Sequence, residues 1–319
     1  MDQNALADRR QLRRKLGFWR IVAIGLILIA GIAIYVFATA NRGEGAGKPH
    51  IARVTISGII QDDRELVERL DRIAKNDSVK ALIVSISSPG GTTYGGEVLY
   101  KAIRKVSEKK PVVSDVRTLA ASAGYMIALA GDRIVAGDTS ITGSIGVLFQ
   151  YPQIKQLMDK VGVSLEEIKS APLKAEPSPF HPPSDDAKAV IQAMIDDTFN
   201  WFVDLVADRR KLPREEALRL ADGRIFTGRQ ALGLKLIDQL GGEAEIRDFL
   251  GERKIDKNLE IVDWERESNG FPFGIGSTAA AWVKALGYEA FPFLGDVEKI
   301  GREKLFLDGL VSVWQVGSD

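Results

Sequence analysis

A nearly continuous apolar run, Val79–Ile86, lies between two segments with helical periodicity and narrows the possible folds more than any other feature of the chain. A run this short and this apolar is typical of a parallel β-strand that is covered on both faces. The flanking segments, Asp62–Lys75 and Gly95–Lys109, carry apolar residues at helical spacing. Strand patterns at His50–Ile60 and Pro111–Val116 enclose them. The order β-α-β-α-β predicts an α/β layered fold with a largely parallel sheet.

The pattern beyond residue 116 is less regular. Four prolines between Lys174 and Ser184 exclude regular helix there. We predict loop with short strands over Gly137–Gly146 and a short strand over Ser164–Lys169. Helices are predicted at Tyr151–Val161, Asp185–Lys211, Pro213–Ala221, Gln230–Leu240 and Glu243–Leu250, and a late strand at Leu259–Trp264.

The N-terminal region has the charge pattern of a membrane anchor. The charge-free run Ile21–Ala40 spans about 30 Å as a helix, the thickness of a bilayer core. Residues 1–20 are basic, which predicts a cytoplasmic N-terminus and a periplasmic chain from residue 50 onward. A cleaved signal peptide remains an alternative, because Ala38-Thr39-Ala40 resembles a cleavage site. The Gly-rich residues 41–49 are predicted to be a linker. The basic residues are Arg9, Arg10, Arg13, Arg14, Lys15 and Arg20.

The composition excludes several classes of function. The 319 residues carry 43 acidic and 43 basic side chains, and this balance argues against a general nucleic-acid binder. Because the chain has no cysteine, it has no disulfide, thiolate nucleophile or cysteine zinc site.

Ser122 is the candidate nucleophile. It lies in Ala-Ala-Ser-Ala-Gly-Tyr (120–125), between the strand pattern 111–116 and a helix-like run, Tyr125–Ala130. A strand-to-helix turn exposes a hydroxyl, and small neighbours let a substrate backbone come close. Two alternatives remain: Ser122 as a helix N-cap, and a triad that uses His181. The other histidine, His50, is expected to be solvated.

With only two histidines in the chain, the expected base for Ser122 is a lysine. A lysine base needs its pKa lowered from about 10.4 to roughly 7–8. Burial among apolar groups without a carboxylate partner lowers it. Lys174 lies in Ala-Pro-Leu-Lys-Ala and is flanked by apolar residues, although Glu176 would oppose the shift. Lys169 is the alternative candidate.

Ser-Ser-Pro-Gly-Gly (87–91) directly follows the run that ends at Ile86. A Gly-Gly pair at the end of a strand lets backbone N–H groups face a ligand and stabilise an oxyanion. A plain Pro-Gly turn is the alternative. A phosphate loop is excluded because no Lys-Ser/Thr follows at the required spacing.

Five motifs together resemble the signature of the bacterial signal peptide peptidase A family over about residues 50–245. They are Ser-Pro-Gly-Gly (88–91), Ala-Ala-Ser-Ala-Gly-Tyr (120–125), Thr-Gly-Ser-Ile-Gly-Val (142–147), Ile-Lys-Ser-Ala-Pro-Leu-Lys (168–174) with Ser-Pro-Phe (178–180), and Gly-Arg-Ile-Phe-Thr-Gly-Arg-Gln-Ala-Leu-Gly-Leu-Lys-Leu-Ile-Asp (223–238). The resemblance implies a membrane-bound Ser/Lys peptidase with a Clp-protease/crotonase-like fold, without metal or organic cofactor.

The resemblance also implies site roles. Ser122 matches the nucleophile, Lys174 the general base and Ser144 the hydroxyl that positions the lysine amine. Gly91 and Ala123 match the two backbone donors of the oxyanion hole. The chain departs from the family at Ser87, at Ala123 and at Ala171-Pro172, where the family often has asparagine, glycine and a glycine-containing stretch.

The length matches the short family type, with one peptidase domain at 50–250 and a C-terminal segment, 251–319, of unassigned role. From Gly270 onward this segment is rich in aromatic residues and glycine. It is expected to form a subunit contact, a membrane-facing patch or an ordinary part of the core. The implied substrates are remnant signal peptides, and the implied assembly is a homo-oligomer, an octamer. A catalytically inactive peptide-binding scaffold and a crotonase-like acyl-CoA enzyme are the alternatives.

Overall fold

The computed structural model describes residues 19–32, 47–265 and 310–314. The chain divides into two compact units, residues 1–48 and 49–319. In the first unit, residues 19–32 are helical. Within the three described ranges, no helix combines the length and the apolarity that crossing a membrane requires. The predicted anchor was 21–40, and its residues 33–40 lie outside those ranges, as do 1–18, 41–46 and most of the C-terminal segment.

The described part of the second unit alternates strands and helices. Its strands are β1 His50–Ile60, β2 Val79–Thr92, β3 Val112–Ala121, β4 Arg133–Ala136, β5 Ile141–Gly143, β6 Ile225–Thr227, β7 Gln239–Leu240, β8 Ile261–Asp263 and β9 Val311–Val313. Its helices are α1 Arg64–Lys75, α2 Thr93–Ser107, α3 Ala123–Ala128, α4 Lys155–Val161, α5 Asp185–Arg210, α6 Arg214–Leu220, α7 Gly228–Gly233 and α8 Glu243–Glu252.

One largely parallel sheet organises this unit. Its main path is β6-β5-β3-β2-β1-β8. Among the strands described here, the pairs β5–β6 and β2–β9 are antiparallel and the other pairs are parallel. Strand β3 changes partners along its length, since its first half pairs with β4 and its last residues pair with β5. The predicted mixed α/β fold with a largely parallel sheet is therefore confirmed.

The central strand is buried on both faces, as its apolar run predicts. Leu82, Val84 and Ile86 of β2 belong to the larger core, which also includes side chains from α1, α2, α3 and α5. Ala81 and Ile83 point to the opposite face and pack in a smaller core with apolar residues of α8. Because successive strand side chains alternate between faces, only a strand covered on both sides needs such a run.

Several predicted boundaries are wrong where long-range pairing decides them. Strand β2 continues through Ser-Ser-Pro-Gly-Gly to Thr92, so the Pro-Gly turn is wrong; β1 and β9 pair with this extension. Strand β3 continues to Ala121, where β5 pairs with it. The segment Ser164–Lys169 forms no strand. The predicted helix Gln230–Leu240 ends at Gly233, and Gln239–Leu240 instead pairs with β4.

One buried carboxyl on β3 gives a prediction about pH. Burial raises the pKa of Asp115 above its ordinary value of 3.8, and Arg117 and Arg53 only partly offset this effect. The folded protein therefore holds this proton more tightly than the unfolded chain. The contribution of Asp115 to stability falls as the pH rises from about 3.8 through the raised value.

Asp115→Asn removes this ionisation and retains the shape of the side chain. Compared with wild type, its free energy of unfolding is expected to be larger at neutral pH than at pH 3 to 4, because only wild type loses stability as Asp115 ionises. Urea unfolding of both proteins across this range measures the difference. A difference that does not change with pH would contradict the assignment.

Candidate active site

Ser122 occupies a strained turn between β3 and α3. Its φ of 59° and ψ of −119° lie outside the regions that residues with a Cβ commonly populate. Backbone strain of this kind costs about 1–3 kcal/mol and persists only where the surroundings impose it. Here the Ser122 N–H donates to the carbonyl of Gly143 at 2.8 Å, and the Ser122 carbonyl accepts from Met126 at 2.9 Å. The turn matches the geometry of a nucleophile elbow.

The hydroxyl of Ser122 is not used to cap the helix that follows. Ser122 holds the N-cap position of α3, as that alternative predicts, but its side chain makes no capping hydrogen bond to the helix. Instead, its Oγ is in hydrogen-bond contact with the Oγ of Ser312, and only 1% of Ser122 is exposed. The hydroxyl of this strained turn therefore points at the C-terminal strand β9 and not at the helix.

The two candidate oxyanion donors lie on either side of this turn. Gly91 is near the end of β2, where an added Cβ would lie 1.9 Å from the carbonyl oxygen of Ile60, so only glycine fits. Ala123 is fully buried and is the first residue of α3. Its N–H has no acceptor within the helix, because the first N–H groups of a helix are unpaired there. Both positions can present a backbone donor beside Ser122.

A buried serine with no role predicted from the sequence holds the glycine segment near the end of β2 in place. The Ser88 Oγ accepts from the N–H of Gly90 at 3.1 Å and donates to the carbonyl of Gly58 at 2.6 Å. Gly90 has a φ of 112°, which favours glycine. The only sequence signal for Ser88 was its place in the Ser-Pro-Gly-Gly motif.

Ser144 lies next to the Ser122 turn, one residue after β5. It is buried, has a φ of 50°, and its N–H donates to the carbonyl of Arg224 at 2.7 Å. Its hydroxyl forms no hydrogen bond with any residue that the structure describes. The adjacent Gly143 accepts from Ser122, so the backbone brings Ser122 and Ser144 to the same site.

Lys174 makes no hydrogen bond with these groups among the residues that the structure describes. It is exposed, on a turn in which its N–H donates to Ala171 at 3.1 Å. Among the described residues, no hydrogen bond joins its side chain to Ser122 or Ser144. Within one chain, the structure therefore brings together the candidate nucleophile, the two candidate oxyanion donors and Ser144, and it shows no contact between them and Lys174.

The alternative base, Lys169, is held by carboxylates. Its amine contacts Glu167 at 2.7 Å and Glu176 at 2.8 Å. Hydrogen bonds to these two groups raise the pKa of Lys169, which favours the charged form and opposes a role as base. Glu176 is therefore paired with Lys169, and the hydrogen bond from Lys169 is the main cause of the lowered pKa of Glu176.

Neither histidine contacts Ser122 among the hydrogen bonds of the described residues. His181 lies 3.4 Å from Glu176 and 3.8 Å from Glu167, within the cluster around Lys169. His50 is 2% exposed, so the expectation that it is solvated is wrong. Its Nε2 accepts from the indole of Trp264 at 3.2 Å, and the two rings stack. The late strand β8 brings this tryptophan beside β1, which the sequence of either segment alone does not show.

Comparison with known proteins gives consistent matches. Residues 104–255 match the model of Peptidase family S49. A candidate protease from Methanocaldococcus jannaschii is 36% identical over 77% of this chain and 76% of its own length. A candidate protease from Synechocystis is 38% identical over 68% of this chain and 76% of its own length. A candidate signal peptide peptidase SppA from Enterococcus faecium is 29% identical over 81% and 79%. The family match contains Ser122, Ser144 and Lys174.

Proposed function

The chain belongs to peptidase family S49, and we propose on this premise that it is a serine endopeptidase with Ser122 as nucleophile and Lys174 as general base. One observation carries the proposal. A buried serine at a strand-to-helix junction keeps an unfavourable backbone conformation, and its hydroxyl makes no capping hydrogen bond to the helix. A peptide-binding scaffold without activity, or an acyl-CoA enzyme that needs only the paired amides, would have no use for this strain at a hydroxyl.

The proposed chemistry gives each of these groups one role. The Ser122 Oγ attacks a peptide carbonyl, and Lys174 accepts the serine proton. The N–H groups of Gly91 and Ala123 stabilise the oxyanion, and each such donor is worth about 3–4 kcal/mol of barrier. Lys174 then protonates the leaving amine, and water hydrolyses the acyl-enzyme. Ser144 orients the lysine amine, and no cofactor is required.

We place Lys174 at the nucleophile of a neighbouring copy in a homo-oligomer, an octamer by analogy with the family. The stretch that leads to Lys174 carries six exposed large apolar side chains, an apolar patch of the kind that marks an interface. They are Leu157, Val161, Val163, Leu165, Ile168 and Leu173. A second copy packed on this stretch would bury the apolar groups and remove water from the amine.

The same proposal gives the N-terminal unit a role as an anchor. Its described helical residues, 19–32, have large apolar side chains that are mostly exposed and would be covered by lipid. With 21–40 in the inner membrane and the catalytic unit in the periplasm, the site would meet remnant signal peptides. Such peptides are apolar and can bind in an extended form.

Covalent labelling tests the nucleophile and its base together. A fluorophosphonate should add once per active chain, at Ser122, and should not label Ser122→Ala. The labelling rate of Lys174→Ala should be at least about 10²-fold lower than that of wild type, because general-base catalysis contributes about 10²–10⁴-fold.

Intact-mass spectrometry and peptide mapping measure both the site and the rate. Equal labelling of wild type and Ser122→Ala would refute the assignment of the nucleophile. Equal labelling rates for wild type and Lys174→Ala would contradict the assignment of the base.

A further inference from the structure

Along its second half, strand β1 has an open edge in the described part of the chain. Strand β8 pairs with β1 at residues 51–53, and the Trp264 N–H then donates to the carbonyl of Arg53 at 2.8 Å. Among the described strands, none continues this ladder beside residues 55–59. An open edge offers backbone donors and acceptors to which an extended peptide can add as a new strand.

The backbone groups of Thr55 and Ser57 face this edge. The N–H of Ile51 donates to the carbonyl of Glu260 at 2.9 Å, on the side of β8. Because the backbone groups of successive strand residues alternate between the two sides, the odd-numbered residues in this part of β1 face away from β2. Thr55 and Ser57 are exposed, so a peptide in solution can reach them.

A cavity of about 340 Å³ lies along the open edge. Its volume is within the range of ligand sites, about 300–1,000 Å³. Thr55 and Ile56 both line it, although successive strand side chains point to opposite faces of a sheet. The cavity therefore surrounds the edge of β1, and it extends to α1, which contributes Leu66 and Arg69.

Arg69 brings a buried positive charge to this cavity. It is 8% exposed, its Nε has no hydrogen-bond partner, and it forms no ion pair with any residue that the structure describes. Asp63, which also lines the cavity, caps α1, and Glu265 is exposed. Asp263 pairs with Arg53 at 3.6 Å. A buried charge without a partner is unfavourable, and a carboxylate on a ligand would compensate it.

We infer that this cavity is a docking site for an extended segment of another polypeptide that carries an aspartate or a glutamate. The segment pairs with the backbone of Thr55 and Ser57, and its carboxylate binds the guanidinium of Arg69. Arginine and carboxylate pair in a bidentate geometry that strengthens the contact. A phosphate group would pair with Arg69 but would not use the strand edge, so the two features together favour a peptide.

The docking site is separate from the candidate catalytic groups. Strand β2 lies between β1 and β3, and β3 leads to Ser122. Binding at the open edge needs no cleavage, so the inference is independent of the proposed function.

Fluorescence polarisation with two labelled peptides tests the site. The probes are Thr-Val-Asp-Val-Thr and Thr-Val-Asn-Val-Thr, and the parent protein is the full chain with Ser122→Ala, which keeps the probes intact. The aspartate peptide is expected to bind at least about 10-fold more tightly, because a charged pair is stronger than a neutral hydrogen bond. Arg69→Met should lower its affinity by at least about 10-fold. Arg72→Met, at an exposed position of the same helix, is the matched control and should bind as the parent does.

Two further measurements separate docking from folding. Thr55→Pro removes the N–H that faces the added strand, and proline is tolerated at a strand edge whose N–H points away from the sheet. It should bind the aspartate peptide at least about 3-fold more weakly, with an unchanged far-UV circular dichroism spectrum. Arg69→Met should be at least as stable as the parent in urea, because it removes a buried unpaired charge and keeps an unbranched side chain.

The outcomes decide the inference. It is overturned if neither peptide binds, if the two bind equally, or if Arg69→Met leaves binding unchanged, since a peptide held in the catalytic cleft would not depend on Arg69. It also fails if inorganic phosphate displaces the peptide and Thr55→Pro binds as tightly as the parent, which would indicate a site for small anions. A marked loss of stability in Arg69→Met would assign this side chain a structural role instead. Binding that requires the carboxylate and Arg69, and that weakens in Thr55→Pro, supports the docking site.

Discussion

Replacing Ser122 with alanine is expected to lower kcat/KM for a peptide substrate by at least about 10⁴-fold, since removing a covalent nucleophile removes the whole chemical step. The loss should appear mainly in kcat, because the backbone groups that bind an extended peptide remain. Steady-state kinetics with a fluorogenic peptide measures the effect. Retention of more than a few per cent of activity would exclude Ser122 as the nucleophile.

A second substitution at this position separates catalysis from strain. Ser122→Gly is expected to be equally inactive but at least as stable as Ser122→Ala. In ordinary helical or extended positions, glycine is less stable than alanine by about 0.5–1 kcal/mol. At a φ of 59°, relief of about 1–3 kcal/mol of strain offsets this cost. Chemical unfolding of the two variants decides the point, and the usual order of stability would show that the turn is unstrained.

The sequence predicts the parts of this protein that local patterns determine. Strand β1 has the bounds that its β-branched pattern predicts, and α5 differs by one residue. The double coverage of β2 follows from its unbroken apolar run. The position of Ser122 between a strand and a helix also follows from its small neighbours and from the change in periodicity around it.

The remaining features depend on groups far apart in the chain. The extension of β2 pairs with β9, which is more than two hundred residues away in the sequence. No local pattern in Ser-Ser-Pro-Gly-Gly predicts this pairing. Ser122 has a positive φ and donates its N–H to the carbonyl of Gly143, a long-range contact that sequence spacing does not show. The sequence predicts Lys174 as the base because its neighbours in the chain are apolar. In a single chain these neighbours are exposed and do not pack around the amine.

Replacing Lys174 is expected to have the second large effect on activity. Lys174→Ala alone is expected to lower kcat/KM by at least about 10³-fold, because general-base catalysis contributes about 10²–10⁴-fold and activation of the serine depends on it. Lys188→Ala is the matched control. Lys188 forms an exposed pair with Asp185 at 3.0 Å, and such pairs contribute little, so the variant should keep wild-type activity.

Mixing two inactive variants then tests where the base comes from. When Ser122→Ala and Lys174→Ala chains exchange subunits in equal amounts, a site shared by neighbours receives an intact serine and an intact lysine in about one quarter of cases. Activity should therefore recover to about a quarter of the wild-type value, and only after the subunits have been dissociated and reassembled together. If both groups of a site belong to one chain, no mixture contains a complete site and activity stays at background. Recovery of activity would thus explain why, in a single chain, the strained Ser122 and the exposed Lys174 do not contact each other.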